Sequence, residues 1–346
     1  MVMENNDVLV SIRCTTYNQS SYITDALNGF ALQQTRFPYL AVVIDDASID
    51  GEQNVIKAYL DAHFDHSEET GFRQWETEDA LWTFARHKEH TNCYIVVSYL
   101  KKNLFGNPKK LELIKEWTNT KYIAICEGDD YWTDPLKLQK QVDFLEGHKE
   151  YSMCCTGFSQ TFEGNESEKS PMVFDLDDIT IEHLINGQWI GTATVVYRRE
   201  LLADYKPPFS HLPFGDVPMW FHLALKGKIK YLKDITANYR RRNESACHFS
   251  DKKKEYLFGL DVMRVREYYA MLVDKVEVAQ PMFSKDSHYY LEQCYQNQWF
   301  DFPIDTLWHF VKEYGHPSGY DKLKYWGMKS KLRYRFSKEV LSLLKK

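Results

Sequence analysis

Short apolar runs that end in polar or acidic residues recur through the first 145 residues. Val8–Cys14, Leu40–Ile44 and Tyr122–Cys126 are predicted as buried strands, and Tyr22–Gln33 and Asn54–Phe64 carry apolar residues at helical spacing. An alternation of strand and helix predicts parallel strands joined by right-handed crossovers. The pattern therefore predicts an α/β fold, with a Rossmann-like, mostly parallel sheet flanked by helices.

The rest of the chain gives a less regular pattern. Asp61–Asn92 is predicted as an inserted, partly helical excursion that packs back through its aromatic residues, and Phe162–Asp178 as a polar loop. Further strands are predicted at Tyr94–Ser98, Tyr151–Phe158, Ala193–Tyr197 and Ile229–Tyr239, and further helices at Pro135–Glu146, Met219–Lys226 and within 252–315. We expect one domain over 1–250, with a nucleotide-binding half (1–150) and an acceptor half (151–250), and a helical C-terminal extension over 251–346.

Composition narrows the class of protein. The 346 residues are 44% apolar and 27% charged, enough for one large core and a smaller annex. The net charge of -6 argues against a nucleic-acid partner. No apolar run reaches about 18 residues, and Met1–Asp7 lacks a signal-peptide pattern, so we expect a cytoplasmic protein. The seven cysteines show no CxxC spacing and are predicted as buried free thiols, among them Cys14, Cys93, Cys126, Cys154 and Cys155.

Polar residues follow three of the predicted strands directly. They are the loop Thr15–Asn18, the pair Asp45-Asp46 and the turn Glu127–Asp130. Because ligands of parallel sheets bind beyond the carboxyl ends of the strands, these segments are predicted to share one edge. Clustered carboxylates repel each other unless a cation lies among them, and oxygen ligands suit Mg²⁺ or Mn²⁺. The alternative is a solvated acidic turn that caps the helix beginning near Pro135.

Two further segments carry candidate chemistry. Asp216 lies among aromatic residues within His211–Trp220, where its pKa would rise and it could act as a general base. It could equally cap the following helix. The basic cluster Lys101–Lys110 could face a diphosphate or be a solvated helix start.

Histidines recur at a spacing that resembles a zinc site. The pairs are His63-x-x-His66 and His87-x-x-His90. Nothing in the sequence brings the pairs together, so surface histidines are expected.

The segment 320–346 is basic and amphipathic in an otherwise acidic protein. Interleaved lysines, arginines and large apolar residues are typical of a helix on a membrane surface. The same pattern fits a helix that docks on its own domain, and the sequence does not decide between them.

Four motifs in order resemble the family 2 glycosyltransferases of bacteria, which have the GT-A fold. Ser11–Asn18 is similar to the opening strand and its Thr-Tyr-Asn loop, and Val42–Asp50 to the Asp-Asp-Gly-Ser-x-Asp signature. Glu127–Asp130, followed by Tyr131-Trp132, resembles the metal-binding Asp-x-Asp turn. Gly215-Asp216 resembles the segment that supplies the catalytic base.

The resemblance implies a role for each matching residue. Asp216 would be the catalytic base, and Mn²⁺ or Mg²⁺ would be held by Asp129, Asp130 and His248. Arg240–Arg242 would close over the diphosphate together with His248. The nucleotide would be bound by Thr15, Tyr17, Asn18, Asp45, Asp46, Glu127, Gly128 and Asp129.

The resemblance also implies the reaction. It is the inverting transfer of one sugar from a nucleotide-sugar, with UDP-sugar favoured, to a hydroxyl of a lipid-linked or surface-glycan acceptor. The Gln-x-x-Arg-Trp motif of processive synthases is absent, which favours single transfer over polymerisation. Two positions depart from the family pattern. Glu127 replaces the first Asp of the turn, and Ala47 replaces a Gly, so the loop after Asp46 is expected to avoid a conformation that only Gly takes easily.

Two other functions fit parts of the same pattern. A protein with this fold could bind nucleotide-sugars or glycans without catalysis, although acids are present at all three strand ends. A nucleotidyltransferase also places carboxylates at strand ends, but it usually has a Gly-rich, basic loop after the first strand. Thr15–Ser20 contains neither Gly nor a basic residue.

Overall fold

The structure is a computed structural model that describes residues 8–242 and 250–344. The chain divides into two compact units. The first comprises the chain up to Thr180, Trp189–Lys206 and His222–Arg242, and the second comprises Ile181–Gln188, Pro207–Phe221 and the chain after residue 242. Residues 181–188 and 207–221, assigned above to the acceptor half, thus group with the C-terminal helices.

The strands described in the first unit belong to one 13-stranded sheet. Its strands are β1 Val10–Thr16, β2 Tyr39–Asp45, β3 Phe64–Asp65, β4 Arg73–Glu76, β5 Ala80–His87, β6 Cys93–Leu100, β7 Tyr122–Ile125, β8 Tyr131–Trp132, β9 Tyr151–Phe162, β10 Asn165–Met172, β11 Asp178–Ile179, β12 Val196–Arg198 and β13 Lys228–Arg241.

Parallel pairing defines the centre of the sheet. The strand order is β11-β13-β9-β12-β7-β1-β2-β6-β5-β3, and β7, β1, β2 and β6 run parallel to one another. The strand β12 is antiparallel to β7, and β5 is antiparallel to β6. The predicted α/β class, with a mostly parallel sheet flanked by helices, is confirmed, and the antiparallel strands make the sheet a mixed one.

Helices lie between the strands in the sequence, and five more are described after the last strand. They are α1 Ile23–Ala31, α2 Glu52–His63, α3 Lys109–Leu113, α4 Lys137–Gly147, α5 Ile181–Ile185, α6 Asp216–Lys226, α7 Lys252–Leu272, α8 Val276–Gln296, α9 Ile304–Tyr314, α10 Gly319–Met328 and α11 Lys331–Leu344. The predicted helical C-terminal region is confirmed.

The two faces of the sheet carry separate apolar cores. Val43 points to a core that contains residues of α1, α2 and α4, whereas its neighbour Val42 points to a core closed by Ile114 and Trp117. Adjacent residues on opposite faces are what the two-residue period of a strand requires. Burial on both faces explains why the central strands are continuous apolar runs.

Two segments contain strands that the sequence did not predict. The excursion Asp61–Asn92 was expected to be partly helical, but most of its structure is β3, β4 and β5 at the sheet edge. Its aromatic residues do pack back, since Trp75 stacks on Trp82 with ring centroids 5.7 Å apart. Phe162–Asp178 was expected to be a loop, but it contains β10, an exposed edge strand antiparallel to β9. The described side chains of β10 are exposed except for the half-buried Met172, so the strand lacks the apolar alternation by which a strand is recognised.

The six cysteines within the described residues confirm the expectation of buried free thiols, and Cys247 lies outside those residues. Cys14, Cys93, Cys126, Cys154, Cys155 and Cys294 are buried and free. Within the described residues, no helix is long and apolar enough to cross a membrane.

Candidate functional site

The carboxyl ends of β1, β2 and β7 meet at one edge of the sheet. Thr16 pairs with Asp45, the last residue of β2. The backbone N–H of Gly128, in the turn after β7, donates to the carbonyl of Thr15 at 3.1 Å, and the N–H of Asp46 donates to the carbonyl of Thr16 at 2.9 Å. The three polar segments therefore lie together, as the strand order predicts.

Asp45 is buried and held from within its own loop. Its carboxylate accepts hydrogen bonds from the backbone N–H of Ser48 at 3.3 Å and from the side-chain amide of Gln53 at 2.6 Å. Burial raises the pKa of the Asp45 carboxyl, and these hydrogen bonds oppose the rise. Asp45 therefore fixes the turn between β2 and α2.

Asp46 holds the segment that follows β6. Its carboxylate accepts the N–H of Leu104 at 2.6 Å and pairs with Nζ of Lys110 at 3.0 Å. Of the basic cluster, Lys110 thus lies at the site. Two other lysines of the cluster have surface acids as partners: Lys101 pairs with Glu76 and Lys109 with Asp79.

The loop after β1 is joined to the loop after β2. Asn18 has a positive φ of 51°, which asparagine tolerates better than most residues. Its backbone N–H donates to the Ser48 hydroxyl at 2.9 Å, and its side-chain oxygen accepts the N–H of Ile49 at 2.9 Å. Tyr17, which precedes Asn18 in the chain, is 42% exposed. Thr15 is half-buried beside it.

Ala47 corrects an expectation from the sequence. Its φ is +61°, in the left-handed region that the loop was expected to avoid. For a residue with a Cβ this conformation costs roughly 1–2 kcal/mol. The hydrogen bonds that Asp46 and Ser48 make on either side hold Ala47 in it.

Glu52 is a site residue that sequence reasoning missed. Its buried carboxylate accepts hydrogen bonds from the Thr16 hydroxyl, from the backbone N–H of Gln19 at 3.0 Å and from the Ser48 hydroxyl at 2.7 Å. Burial raises its pKa. A signal was present: Glu52 shares the buried face of α2 with Ile56, at the i, i+4 spacing that an exposed cap would not need.

Gly128 lets the acidic turn approach this cluster. A Cβ on Gly128 would lie 2.6 Å from Cβ of Thr16 and 2.5 Å from the side-chain oxygen of Gln19. Such separations are far inside van der Waals contact, so only glycine fits here. The turn after β7 and the loop after β1 therefore pack directly on each other.

The two aspartates of the turn have different surroundings. Asp130 is 2% exposed, and its carboxylate accepts the backbone N–H of Arg240 at 2.8 Å. Burial and the charge of Asp129 raise the pKa of Asp130 well above its ordinary value. Burial also raises the pKa of Asp129, while Arg242, 3.4 Å away, opposes that rise.

Arginines from the end of β13 face the acidic turn. Arg240 donates to the carbonyl of Asp129 at 2.9 Å, forms an ion pair with Asp25 of α1, and stacks on the ring of Tyr131 with its guanidinium carbon 4.4 Å from the centroid. Within the described part of the chain, Nε of Arg240 and of Arg242 is buried without a hydrogen-bond partner. Both arginines keep donor capacity that an anion could use.

The donor set is compatible with a divalent cation. Within residues 8–242 and 250–344, no three His, Cys, Asp or Glu side chains form a ready ligand group. Mg²⁺-type sites do not need one, since one or two carboxylates and substrate phosphates suffice. Asp129 and Asp130 supply adjacent carboxylates; burial raises the pKa of both, and the charge of Asp129 raises the pKa of Asp130 further. The predicted ligand His248 lies outside the described residues.

Asp216 is the first residue of α6 and belongs to the second unit. Its carboxylate accepts the N–H of Val217 at 2.8 Å, and its side chain is half-buried. In the same unit, Phe221 of α6 stacks on Tyr269 at 4.6 Å, and the Tyr269 hydroxyl donates to the carbonyl of Pro218 at 3.1 Å. The helix start is thus fixed by packing.

The histidine pairs do not form a ligand group among the described residues. His87 is buried rather than exposed as expected, and burial lowers its pKa to about 4. Its Nδ1 accepts the backbone N–H groups of Glu89 and His90 at 3.1 and 3.0 Å. His87 therefore serves the turn between β5 and β6.

No protein-family model matches the chain. Uncharacterized proteins of Mycobacterium tuberculosis and of Mycobacterium bovis are each 30% identical to it over 252 residues, which is 71% of this chain and 63% of the relative. The matched region thus spans less than two thirds of the length of these curated relatives.

Solved structures show the fold. S. aureus TarS 1-349 in complex with UDP-GlcNAc superimposes with a TM-score of 0.60 at 17% identity, over 96% of this chain and 88% of that chain. The same protein in complex with UDP gives a TM-score of 0.59 at 18% identity, over 97% and 92%. The chain has a GT-A-like α/β fold.

Proposed function

We propose that the protein transfers one sugar from a nucleotide-sugar to an acceptor hydroxyl, with inversion and with help from a divalent cation. The observation that carries this proposal is the meeting of Thr16, Asp45 and Gly128 at one edge of a GT-A-like sheet. Acidic, hydrogen-bonding and cationic groups converge there, which is what a nucleotide diphosphate needs for recognition.

The nucleotide would lie against the loops after β1 and β2. Tyr17 offers an exposed ring for a base, and Asp45 and Asp46 offer carboxylates near a ribose. Asn18 joins the loop after β1 to the loop after β2. Thr15 joins the loop after β1 to the acidic turn from Glu127 to Asp129, which lies at the same edge of the sheet. The spare donors of Arg240 and Arg242 would bind the diphosphate.

Mn²⁺ or Mg²⁺ would be held at Asp129, with Asp130 fixing the turn and supplying a second carboxylate. When bound, the cation neutralises charge on the leaving diphosphate. Arg242 now faces Asp129 at 3.4 Å, so the carboxylate already has a cationic partner at this position. His248 would add a ligand, as the family resemblance implies.

Asp216 would take the proton of the acceptor hydroxyl as that oxygen attacks the anomeric carbon. The bond to the diphosphate breaks as the new glycosidic bond forms, so a single displacement inverts the anomeric centre. The start of α6 holds the carboxylate, which favours a fixed orientation. If Asp216→Asn kept full turnover with donor binding unchanged, the base would have to be another residue.

UDP-sugar is the donor that we propose first. The structures of TarS with UDP-GlcNAc and UDP give a reason to begin with these two ligands. The acceptor would be a lipid-linked or growing surface glycan, which would place the reaction at the cytoplasmic face of the cell membrane.

A thermal-shift panel tests the donor site. Uridine and guanosine diphosphates and their sugars are added with Mn²⁺ or with chelator, and a ligand that binds only the folded state raises the melting temperature. We expect a rise of a few degrees with one nucleotide class, and only with metal. Asp129→Asn should remove the metal-dependent part, whereas Asp143→Asn, an exposed aspartate paired with Arg36, should not.

The outcomes separate the candidate functions. A metal-dependent shift followed by transfer to water or to an acceptor supports the transferase. A shift without any hydrolysis of the nucleotide-sugar would indicate a binding protein on this fold. No shift with any nucleotide, from a folded protein, would refute the nucleotide site.

A further inference from the structure

The last helix, α11, buries one of its faces. Tyr334, Ser337 and Leu341 are buried. The Tyr334 ring lies 4.8 Å from that of Tyr295 in α8, and the Ser337 hydroxyl is 2.8 Å from the Tyr295 hydroxyl. This face attaches α11 to the second unit, so docking on its own domain, one of the two possibilities from the sequence, is satisfied by these residues.

A second apolar face of α11 remains exposed. Leu332, Phe336 and Leu343 are 78%, 58% and 71% exposed, and Val340 lies half-buried among them. Positions 332, 336, 340 and 343 follow the i, i+4, i+8, i+11 spacing of a single helix face. We call these four residues the apolar stripe. Docking on the second unit accounts for the inner face and leaves the apolar stripe unexplained.

The neighbouring helix α10 widens the apolar stripe. Trp326 is 38% exposed and meets Phe336 edge to face, with ring centroids 5.9 Å apart. Trp and Tyr rings are enriched at the boundary between water and lipid, because one end is apolar and the other polar. The exposed apolar surface is therefore continuous across two helices.

Positive charges flank the apolar stripe on both sides. At about 100° per residue, Arg335 falls on one side of it and Arg333, stacked on Trp326 at 5.5 Å, falls on the other. Lys331 and Lys338 lie farther round the helix beyond Arg335, and Lys338 lies over the Tyr334 ring at 6.0 Å. Within residues 8–242 and 250–344, no carboxylate pairs with any of these four cations, whereas Lys324 of α10 and Lys329 just after it have acidic partners. The single acid of α11, Glu339, falls beside the stripe on the same side as Arg335.

We propose that the apolar stripe and its flanking cations form a surface that binds an anionic lipid bilayer. The stripe would insert at the level of the headgroups, and the cations would meet their phosphates. A second copy of this chain fits less well, because packing two stripes together would bring like charges into contact.

Vesicle co-sedimentation with the full chain, without any nucleotide, tests the surface independently of sugar transfer. We expect binding to phosphatidylcholine vesicles in which about a third of the lipid is phosphatidylglycerol, and much weaker binding to phosphatidylcholine alone. Raising the salt concentration should weaken the binding, because the cations act through screened electrostatics. Equal binding to both vesicles, or none to either, would overturn the proposal.

Two variants separate the electrostatic from the apolar contribution to vesicle binding. Lys331→Glu/Arg335→Glu/Lys338→Glu should weaken binding to anionic vesicles at least about a hundredfold, since each cation near the surface is worth about fivefold. Leu332→Ser/Phe336→Ser should abolish retention at high salt. Both sets are exposed, so the protein should stay folded.

Matched controls exist in the same unit. Met271→Ser/Leu272→Ser removes two exposed apolar side chains at the end of α7, and Lys254→Glu/Lys275→Glu/Lys285→Glu makes the same change of net charge elsewhere. Both controls should bind vesicles normally. If controls and stripe variants lose binding equally, net charge or general hydrophobicity is responsible and the proposed surface is wrong. If the stripe variants instead convert a dimer to a monomer with vesicle binding intact, the stripe is an interface between copies.

Discussion

Replacing Glu52 by alanine removes the acceptor that three donors at the candidate site share. The Gln19 backbone N–H would lose its partner, and the hydroxyls of Thr16 and Ser48 would have to turn elsewhere. Thr16 has an alternative, because the Gln19 side-chain oxygen lies 2.8 Å away. The backbone N–H cannot move in this way, so it carries most of the cost.

The structure sets the size of the effect. A buried donor without a partner costs about 1–3 kcal/mol, and a hydrogen bond to a charged group contributes about 1.5–3 kcal/mol. Part of this loss of stability is offset, because without the buried carboxylate of Glu52 the protein no longer has to desolvate its charge; burial raises the pKa of that carboxyl. We expect Glu52→Ala to lower the free energy of unfolding by about 2–4 kcal/mol.

Donor binding should fall further than stability alone explains. Glu52 joins the loop after β1 to the start of α2, so its loss frees the two loops that face the proposed nucleotide. We expect the Kd for UDP with Mn²⁺, measured by calorimetry on the folded fraction, to rise at least about tenfold. The exposed Glu255 in the first turn of α7 provides the control, and Glu255→Ala should leave UDP binding unchanged.

Glu52→Gln separates hydrogen-bond geometry from charge. The glutamine amide can donate to Thr16, whose hydroxyl then donates to Gln19, while the glutamine oxygen accepts from the Gln19 N–H and from Ser48. We therefore expect Glu52→Gln to stay within about 1 kcal/mol of the parent and to bind UDP normally. Unchanged UDP affinity in a folded Glu52→Ala would refute the argument, and so would equal damage from both substitutions.

Three further substitutions test local features. Gly128→Ala should destabilise by about 1–3 kcal/mol in urea unfolding and weaken UDP binding, because its Cβ would meet Thr16, whereas Gly147→Ala, with open space around it, should change stability by less than about 0.5 kcal/mol. Ala47→Gly should stabilise by about 0.5–1 kcal/mol in the same assay, since relief of the left-handed conformation exceeds the added freedom of the unfolded chain; no gain would show that the φ of +61° is not strained. Burial lowers the pKa of Lys137 to about 7, so between pH 7 and about 10 the unfolded state holds a proton that the native state has released, and the contribution of Lys137 to stability should rise by about 2 kcal/mol from about pH 7 to pH 9. Buried thiols with raised pKa values lower stability over the same range, so the measurement is the stability difference between the parent and Lys137→Met, which should shift by that amount in favour of the parent; a constant difference would refute the assignment.

The fold could be predicted where buried strands appear in the sequence as runs of apolar residues. The central strands are covered on both faces, so each appears as an apolar run, and the residue after each run lies at the carboxyl edge. Thr16, Asp45 and Gly128 could therefore be placed together from strand order alone. The strand β10 could not be found in this way, because an exposed edge strand has no apolar face to mark it.

The network behind the site was harder to predict, because it depends on which side chains meet across distant loops. In the sequence, Glu52 resembles any acid at the start of a helix. Only its position on the buried face of α2 distinguishes it. Asp46 matched a nucleotide-binding motif, but the sequence did not indicate its ion pair with Lys110, 64 positions later. Tertiary partners of this kind follow no local period.

The acids of the candidate site differ in the partners that they already have. Asp45, Glu52 and Asp130 are buried and accept hydrogen bonds from the protein itself, so their first contribution is to fix the loops. Asp129 differs, since its side-chain partner within the described residues is the cation Arg242 at 3.4 Å, longer than a good hydrogen bond. A stronger cation or a diphosphate could take over such a contact at little cost to the fold. The proposed chemistry therefore depends most directly on Asp129 and Arg242, while the surrounding acids keep the edge of the sheet in shape.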